Sequence, residues 1–253
     1  MSANLGSARL DRLDVAPLPE RVKAALLDMI AAGGFADGRL PREEVLALEL
    51  GVSRGTARAA LRSLEEQGLI TRQRGRGTYV NQHVADSGPA INQIVGFYEL
   101  IEQAGYQAGI AWTHVIRRPA DAELERRLEL EPATPVITIE RLFTGDSTPV
   151  LHVTESLAAK ELAAGEPAET AVPNSIFEFA DRYCREPIDH TVVDIVPVVT
   201  DADSALLFSC SVGMPLLALT EAHYTVRGRP FMLSKIQVDH RYLQFTVVRR
   251  RPA

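Results

Sequence analysis

Apolar residues first recur at helical spacing in ERVKAALLDMIAAGG. There Val22, Leu26, Leu27 and Ile30 follow Pro17 and Pro19 and precede a Gly33-Gly34 stop. A turn, FADGRLP, leads into REEVLALELG, whose Val45, Leu46, Leu48 and Leu50 predict a short buried helix ending at Gly51. Ser53 has the place and chemistry of an N-cap. The helix it opens is predicted to run to about Gln67, with Ala57, Ala60, Leu61 and Leu64 as the inward i, i+3, i+4, i+7 stripe. Gly68 falls where a left-handed C-cap belongs, and Leu69 supplies the hydrophobic contact that follows. LITRQ and TYV then read as two strands joined by the turn RGRG. Three helices and a hairpin in this order predict a winged helix-turn-helix over residues 1–80.

Residues 81–92 are polar, small and contain Gly-Pro, and they read as a linker. From 93 to 253 helical and strand patterns alternate. QIVGFYELIEQAG and DAELERRLEL are predicted helices, AWTHVIRR is a strand, and TPVITIERLF and TPVLHVTESL form a hairpin across GDS. This half contains a weak repeat: Asp121-Ala122-Glu123 answers Asp201-Ala202-Asp203, and the run from Thr134 to Ile139 answers that from Met214 to Leu219, 80 residues on. A duplicated helix-plus-hairpin unit predicts an α+β domain with an antiparallel sheet rather than a parallel array.

Charge changes the picture. The chain has a formal net charge of -6, yet residues 1–83 hold 12 Lys+Arg against 10 Asp+Glu, while 84–253 hold 15 against 23. Within 51–80 stand six arginines, no lysine and only two acids, Glu65 and Glu66. A basic front on an acidic body predicts one polyanion-binding module and one module of another kind. Arg54, Arg58 and Arg62 line one face of the third helix, with no acid at i±4 except Glu65 and Glu66 at its far end. That helix opens Ser53-Arg54-Gly55-Thr56, small and donor-rich, suited to phosphates and base edges. The hairpin tip is Arg74-Gly75-Arg76-Gly77, where glycines permit close backbone approach and arginines suit a narrow minor groove. Arginine also fits bidentate contact with guanine and phosphate. The expected partner is duplex DNA. One such reader per chain is small for genomic specificity, so a homodimer on a palindromic operator is expected.

Other classes find little support. Cys184 and Cys210 are two cysteines in 253 residues and form no disulfide framework. The first twenty residues mix charges without an apolar run, so no signal peptide is expected, no membrane span is expected, and a cytoplasmic location is. His83, His114, His152, His190, His223 and His240 are scattered without HxxxH, HExxH or CxxC spacing, so no catalytic residue, metal or cofactor is expected. His152 and His223 lie on the predicted hairpins, where either could touch a ligand.

LPREEVLALELGVSRGTARAALRSLEEQGLITRQRGRGTYV resembles the N-terminal winged helix-turn-helix of GntR-family bacterial repressors, with GVSR, R-x-A-L-x-x-L, EQGLI and GRGTYV at the family's spacing. The resemblance implies Arg54, Thr56 and Arg58 as recognition-helix contacts, and Arg74 with Gly75 at the wing. The family usually reads L-P-S-E-R here; this chain reads LPREE, placing Glu44 where the final Arg stands, with Arg42 two residues earlier as a replacement.

Residues 93–253 are similar to the UTRA effector-binding domain of the HutC-type subfamily, whose fold resembles chorismate lyase. IERLF, PVLHVTESL, NSIFEF, GMPLLALTEAHY and GRPFMLSKIQVDHRYLQF carry that resemblance. It implies a ligand pocket between the helix after the linker and the hairpins, involving Arg141, Glu155, Ser175, Glu221 and Tyr224. Arg141 also stands alone among apolar residues in VITIERLF and needs an anion, either a ligand or Glu155 or Glu140. Sugar-phosphate sensors of this group carry a second Arg where this chain has Phe143, and Ser or Thr where it has Val95-Gly96-Phe97. The expectation is therefore a small monoanion of carboxylate type packed against Phe97 and Phe143. A C-terminal half that only dimerises, or a sugar-phosphate sensor, is the alternative.

Overall fold

The computed structural model describes residues 17–73, 75–81, 96–163 and 165–245. The expected wing residue Arg74, the nest residue Val95 and nearly all of the expected linker lie outside those residues. The chain forms two compact units.

In the N-terminal unit, α1 (Leu18–Ala31) buries Val22, Leu26 and Ile30 along one stripe. Helix α2 (Glu43–Glu49) follows a two-residue strand β1 (Arg39–Leu40). Helix α3 (Arg54–Glu66) starts at Ser53, whose side chain accepts from the Thr56 N–H at 3.1 Å, and buries Ala57, Ala60, Leu61 and Leu64. Gly68 closes α3 in the left-handed region (φ 81°), and the Leu69 N–H returns to the Leu64 carbonyl. Strands β2 (Ile70–Gln73) and β3 (Gly77–Val80) form the hairpin, and β1 adds to β3, giving the order β1-β3-β2. Helix α2 is less buried than expected. Leu46 and Ala47 are inside, while Val45 is 42% and Leu48 83% exposed. Seven residues make two turns with room for one inward stripe, and Val45 and Leu48, three apart, share the outer side.

The C-terminal unit is a six-stranded antiparallel sheet with helices on both faces. Its elements are α4 (Phe97–Gln103), β4 (Ala108–Pro119), α5 (Ala122–Arg127), β5 (Pro135–Gly145) and β6 (Thr148–Ala158). They are followed by α6 (Ile176–Tyr183), β7 (His190–Val199), α7 (Ala202–Leu207), β8 (Pro215–Tyr224) and β9 (Pro230–Val238). The strand order β4-β5-β6-β9-β8-β7 is symmetric about the central β6–β9 pair. The duplication thus extends beyond the helix-plus-hairpin expected: α4-β4-α5-β5-β6 answers α6-β7-α7-β8-β9. Asp121 and Asp201 cap α5 and α7, and Pro119 and Val199 pair with Pro135 and Pro215. Even the left-handed residues recur, Glu129 and Ala133 answering Ser209 and Gly213. The β5–β6 turn is made by Asp146 and Ser147, both at positive φ, as a tight hairpin requires.

Side chains alternate between the two faces. Ile137, Ile139, Phe143, Leu151 and Val153 point to the face covered by α4 and α6, and Val136, Ala222 and Leu233 to the face covered by α5. No helix among the described residues is long and apolar enough to cross a membrane.

Candidate functional site

Two groups of polar residues stand out, one in each unit. In the N-terminal unit, Ser53 and Thr56 hydroxyls lie 2.8 Å apart, locking the first turn of α3. Arg54 and Arg58 project from that turn and the next, both largely exposed. They do not stand on an acid-free face, as expected from α3 alone. Arg54 Nη2 donates to Glu44 Oε1, and Arg58 Nε donates to Glu43 Oε1 at 2.6 Å. Both acids come from the first turn of α2, which α3 packs across, so a spacing rule confined to one helix misses them. Arg72 in β2 pairs with Glu65 at 3.3 Å.

The wing is shaped by glycine. Gly75 (φ 77°) and Gly77 (φ 123°) occupy conformations that L side chains rarely adopt, and a Cβ on Gly77 would stand 3.0 Å from Arg39 Nε. The Tyr79 hydroxyl donates to the Arg76 carbonyl at 3.2 Å. Arg42 caps no amide with its side chain; with Arg39, Arg72, Arg76 and Tyr79 it lines a cleft of about 930 Å³ between α2 and the wing.

In the C-terminal unit the α4/α6 face carries a buried polar cluster. Arg141 is 1% and Glu155 0% exposed, joined by Nη2–Oε2 at 2.6 Å. Arg141 Nη1 donates to the carbonyls of Pro173 and Asn174 at 2.7 and 3.0 Å. Both terminal nitrogens of Arg141 are engaged within the protein, and of the two candidate carboxylates Glu155 is its partner. Glu140 faces the other way, 2.8 Å from His152. Among the described residues, Arg141 Nε and Glu155 Oε1 remain buried with no hydrogen-bond partner. Phe97 meets Phe143 edge-on at 5.9 Å, and the Arg141 guanidinium lies 5.1 Å from the Phe143 ring centre.

Glu155, Ser234 and Glu221 sit side by side in register across β6, β9 and β8. Burial, and then the charge of Glu155, push the Glu221 carboxyl up to about 7. Burial pushes the Glu155 carboxyl up as well, against the pull of Arg141. His223 bridges Ser234 and Thr191, each hydroxyl 2.8 Å from a ring nitrogen, and burial pushes it down to about 4, leaving it neutral. Ser175 caps α6 through the Phe177 N–H, and Gly96, which caps α4, is so close that a Cβ there would lie 3.4 Å from that of Ser175. The N-termini of the two duplicated helices therefore meet beside the cluster.

The structure brings together Phe97, Arg141, Phe143, Glu155 and Ser175, with Glu221 two strands from Glu155. It does not bring Tyr224 to them. A register shift between His223 and Tyr224 precedes it, and its ring stacks on His190 at 5.0 Å and packs against the α5 cluster. His152 likewise lies on the opposite face, beside Glu140 and Trp112. Ser234 and Thr191 were not singled out in the sequence; the one available signal was a lone Ser in the apolar run PFMLSKI. Cys184 is a free thiol that burial pushes up to about 12, which leaves it protonated.

Comparison with known proteins places both units. Residues 18–80 match the profile described as "Bacterial regulatory proteins, gntR family", and residues 103–243 match the "UTRA domain". The mannosyl-D-glycerate transport/metabolism system repressor MngR of Escherichia coli (strain K12) is 27% identical over 238 residues, 93% of this chain and 97% of its own. The HTH-type transcriptional repressor NagR of Bacillus subtilis (strain 168) is 27% identical over 199 residues, 79% of this chain and 80% of its own. Among solved structures, that of the possible transcriptional regulator YydK from Bacillus subtilis superposes with a TM-score of 0.72 at 18% identity, covering 93% of this chain and 100% of its own.

Proposed function

The chain belongs to the GntR family of bacterial regulatory proteins and carries a UTRA domain, so it is a DNA-binding transcriptional regulator; from that premise we propose that it is a repressor, acting as a homodimer on a palindromic operator and controlled by a small molecule. Two relatives named as repressors support the direction of control. The DNA contacts in this reading are the first turns of α3 (Ser53, Arg54, Thr56, Arg58) and the wing tip from Arg74 to Gly77, with Arg42 at the cleft beside it. Helix termini and arginines suit phosphates and guanine edges, and symmetry of the operator follows symmetry of the dimer.

The effector in this reading sits on the α4/α6 face of the sheet. The observation that carries it is the Arg141–Glu155 pair, buried in an apolar face yet leaving Arg141 Nε and Glu155 Oε1 unpartnered among the described residues, beside Glu221. Unpaired buried polar atoms are costly, and a ligand that satisfies them recovers that cost. Two carboxylates against one largely engaged guanidinium favour a molecule rich in hydroxyl donors. The single open nitrogen of Arg141 suits one carboxylate rather than a phosphate. A polyhydroxylated acid fits both, and the name of the Escherichia coli relative refers to a glycerate-bearing sugar.

The test is titration of duplexes enriched by the protein from a randomised pool, followed by analytical ultracentrifugation and repeated with sugar acids, neutral sugars and sugar phosphates. The reading expects two chains per duplex and release by a sugar acid. One chain per duplex removes the dimer, release by sugar phosphates alone removes the carboxylate, and no response to any small molecule leaves a domain that only dimerises.

A further inference from the structure

The contact between Arg54 and Glu44 is unlike the others in the DNA-binding unit. Glu43, its neighbour, is partly buried and pairs with Arg58 as part of the seam between α2 and α3. Glu44 is 54% exposed, Arg54 is 63% exposed, and the two meet at the surface where the first turn of α3 begins. Such an exposed pair contributes little to stability. Its effect lies in what it does to the charge presented by α3. Arg54 is the residue immediately after the cap, where a recognition helix addresses the duplex, and Glu44 cancels its charge there.

Resting on the reading that α3 enters the major groove, we propose that Glu44 is a specificity-determining residue that acts through Arg54. Binding to DNA of any sequence comes from cations exchanging for phosphate counterions. A carboxylate beside Arg54 removes one cation from that exchange and adds a charge that phosphates repel. At a matching site the pair is favourable as it stands. Arg54 donates to guanine O6 or N7, and Glu44, held in place by Arg54, accepts from an exposed amino group such as cytosine N4. The carboxylate thus weakens binding to all DNA and recovers that loss only where a base amino group is in reach.

The experiment measures affinity by fluorescence anisotropy, across a series of salt concentrations, for two duplexes: one enriched by the wild-type protein from a randomised pool, and one of random sequence. Glu44→Gln removes the charge, Glu131→Gln removes a charge at an exposed position of the other unit, and Arg54→Ala tests the helix itself. Glu44→Gln is expected to tighten binding to the random duplex about tenfold and to steepen its salt dependence by about one ion. Its binding to the enriched duplex is expected to improve by less than about threefold, or to weaken, so that discrimination falls. Glu131→Gln is expected to change neither. Equal tightening on both duplexes, or a random-duplex affinity that Glu44→Gln leaves unchanged or weakens, overturns the proposal. If Arg54→Ala leaves the enriched duplex bound as before, the assignment of α3 fails instead. A loss with Arg54→Ala alongside equal tightening with Glu44→Gln keeps the helix and removes only the role of Glu44.

Discussion

Arg141 on β5 and Glu221 on β8 hold the same position in the two halves of the duplicated unit. Arg141 pairs in register with Val153 on β6, and Glu221 with Ser234 on β9. Their side chains lie on the same face of the sheet, one a cation and the other an acid. Arg141 has found its counterion in Glu155 at 2.6 Å, while Glu221 has, among the described residues, no ion partner nearer than the neutral His223 at 3.9 Å.

Arg141→Ala leaves the Glu155 carboxylate buried without its cation, and the loss of one partner of a buried pair costs about 3–5 kcal/mol. Urea unfolding followed by the fluorescence of Trp112, the chain's one tryptophan, reads this in the correct unit. Replacing both charges, with Arg141→Met and Glu155→Leu, is expected to restore most of the loss. If Arg141→Ala unfolds like the wild type, the pair carries no stability.

Glu221 and His223 give opposite pH dependences. The Glu221 carboxyl is raised to about 7, so its contribution is fully present below its ordinary value of 4.5 and is lost as pH rises towards 7. The His223 ring is lowered to about 4, so its contribution is present above 6.5 and is lost as pH falls through 4. Between about 4.5 and 6.5 the two slopes offset each other. Glu221→Gln is expected to stabilise the protein at pH 8 by on the order of 3 kcal/mol, with no gain at pH 4. The variant then shows the acid loss from His223 undisguised. Denaturation at four pH values checks it, and a stabilisation constant across the series rules out titration of Glu221.

Ser53→Ala removes the acceptor for the Thr56 N–H and is expected to cost about 1 kcal/mol locally. Hydrogen exchange of the α3 amides reads that loss. Protection at Thr56 and Ala57 should fall while the sheet of the other unit keeps its own.

Arg58→Ala is expected to weaken binding to an enriched duplex by ~1–3 kcal/mol if its guanidinium reaches a base edge after leaving Glu43. Arg62, one turn further along α3, should matter less. Anisotropy titrations of both variants decide the orientation of α3, and a larger effect from Arg62→Ala reverses the docking described above.

Local chemistry was the most legible part of this chain. The Ser53 cap, the Ala57-Ala60-Leu61-Leu64 stripe and the Gly68 stop each need only a few neighbouring residues. Strand β1 escaped because two residues between Gly38 and Pro41 carry no periodicity of their own. Glu43 and Glu44 escaped as partners because their arginines lie 15 and 10 residues away in sequence and meet them only after helices pack. The repeat was visible where turn and cap residues recur. It was invisible at α4 and α6, where Ser175 caps through its hydroxyl while Gly96 holds the equivalent N-cap position with no side chain to offer. Tyr224 follows from strand alternation alone: like Ala222, two residues before it, it faces α5, opposite Glu221 and His223.

The near-symmetry of the α4/α6 face has a consequence for any molecule bound there. Two equivalent half-sites facing each other would hold a ligand equally well head-first or tail-first. In the proposed reading Arg141 in one half and Glu221 in the other would remove that degeneracy, since a molecule with an acid at one end and hydroxyls at the other would fit one way round only. A preference of 1.4 kcal/mol already favours one orientation by about ten to one. In the proposed reading the duplicated fold would act as a vector, sensing direction along the bound molecule, with one orientation alone bringing a chosen end against the start of α4.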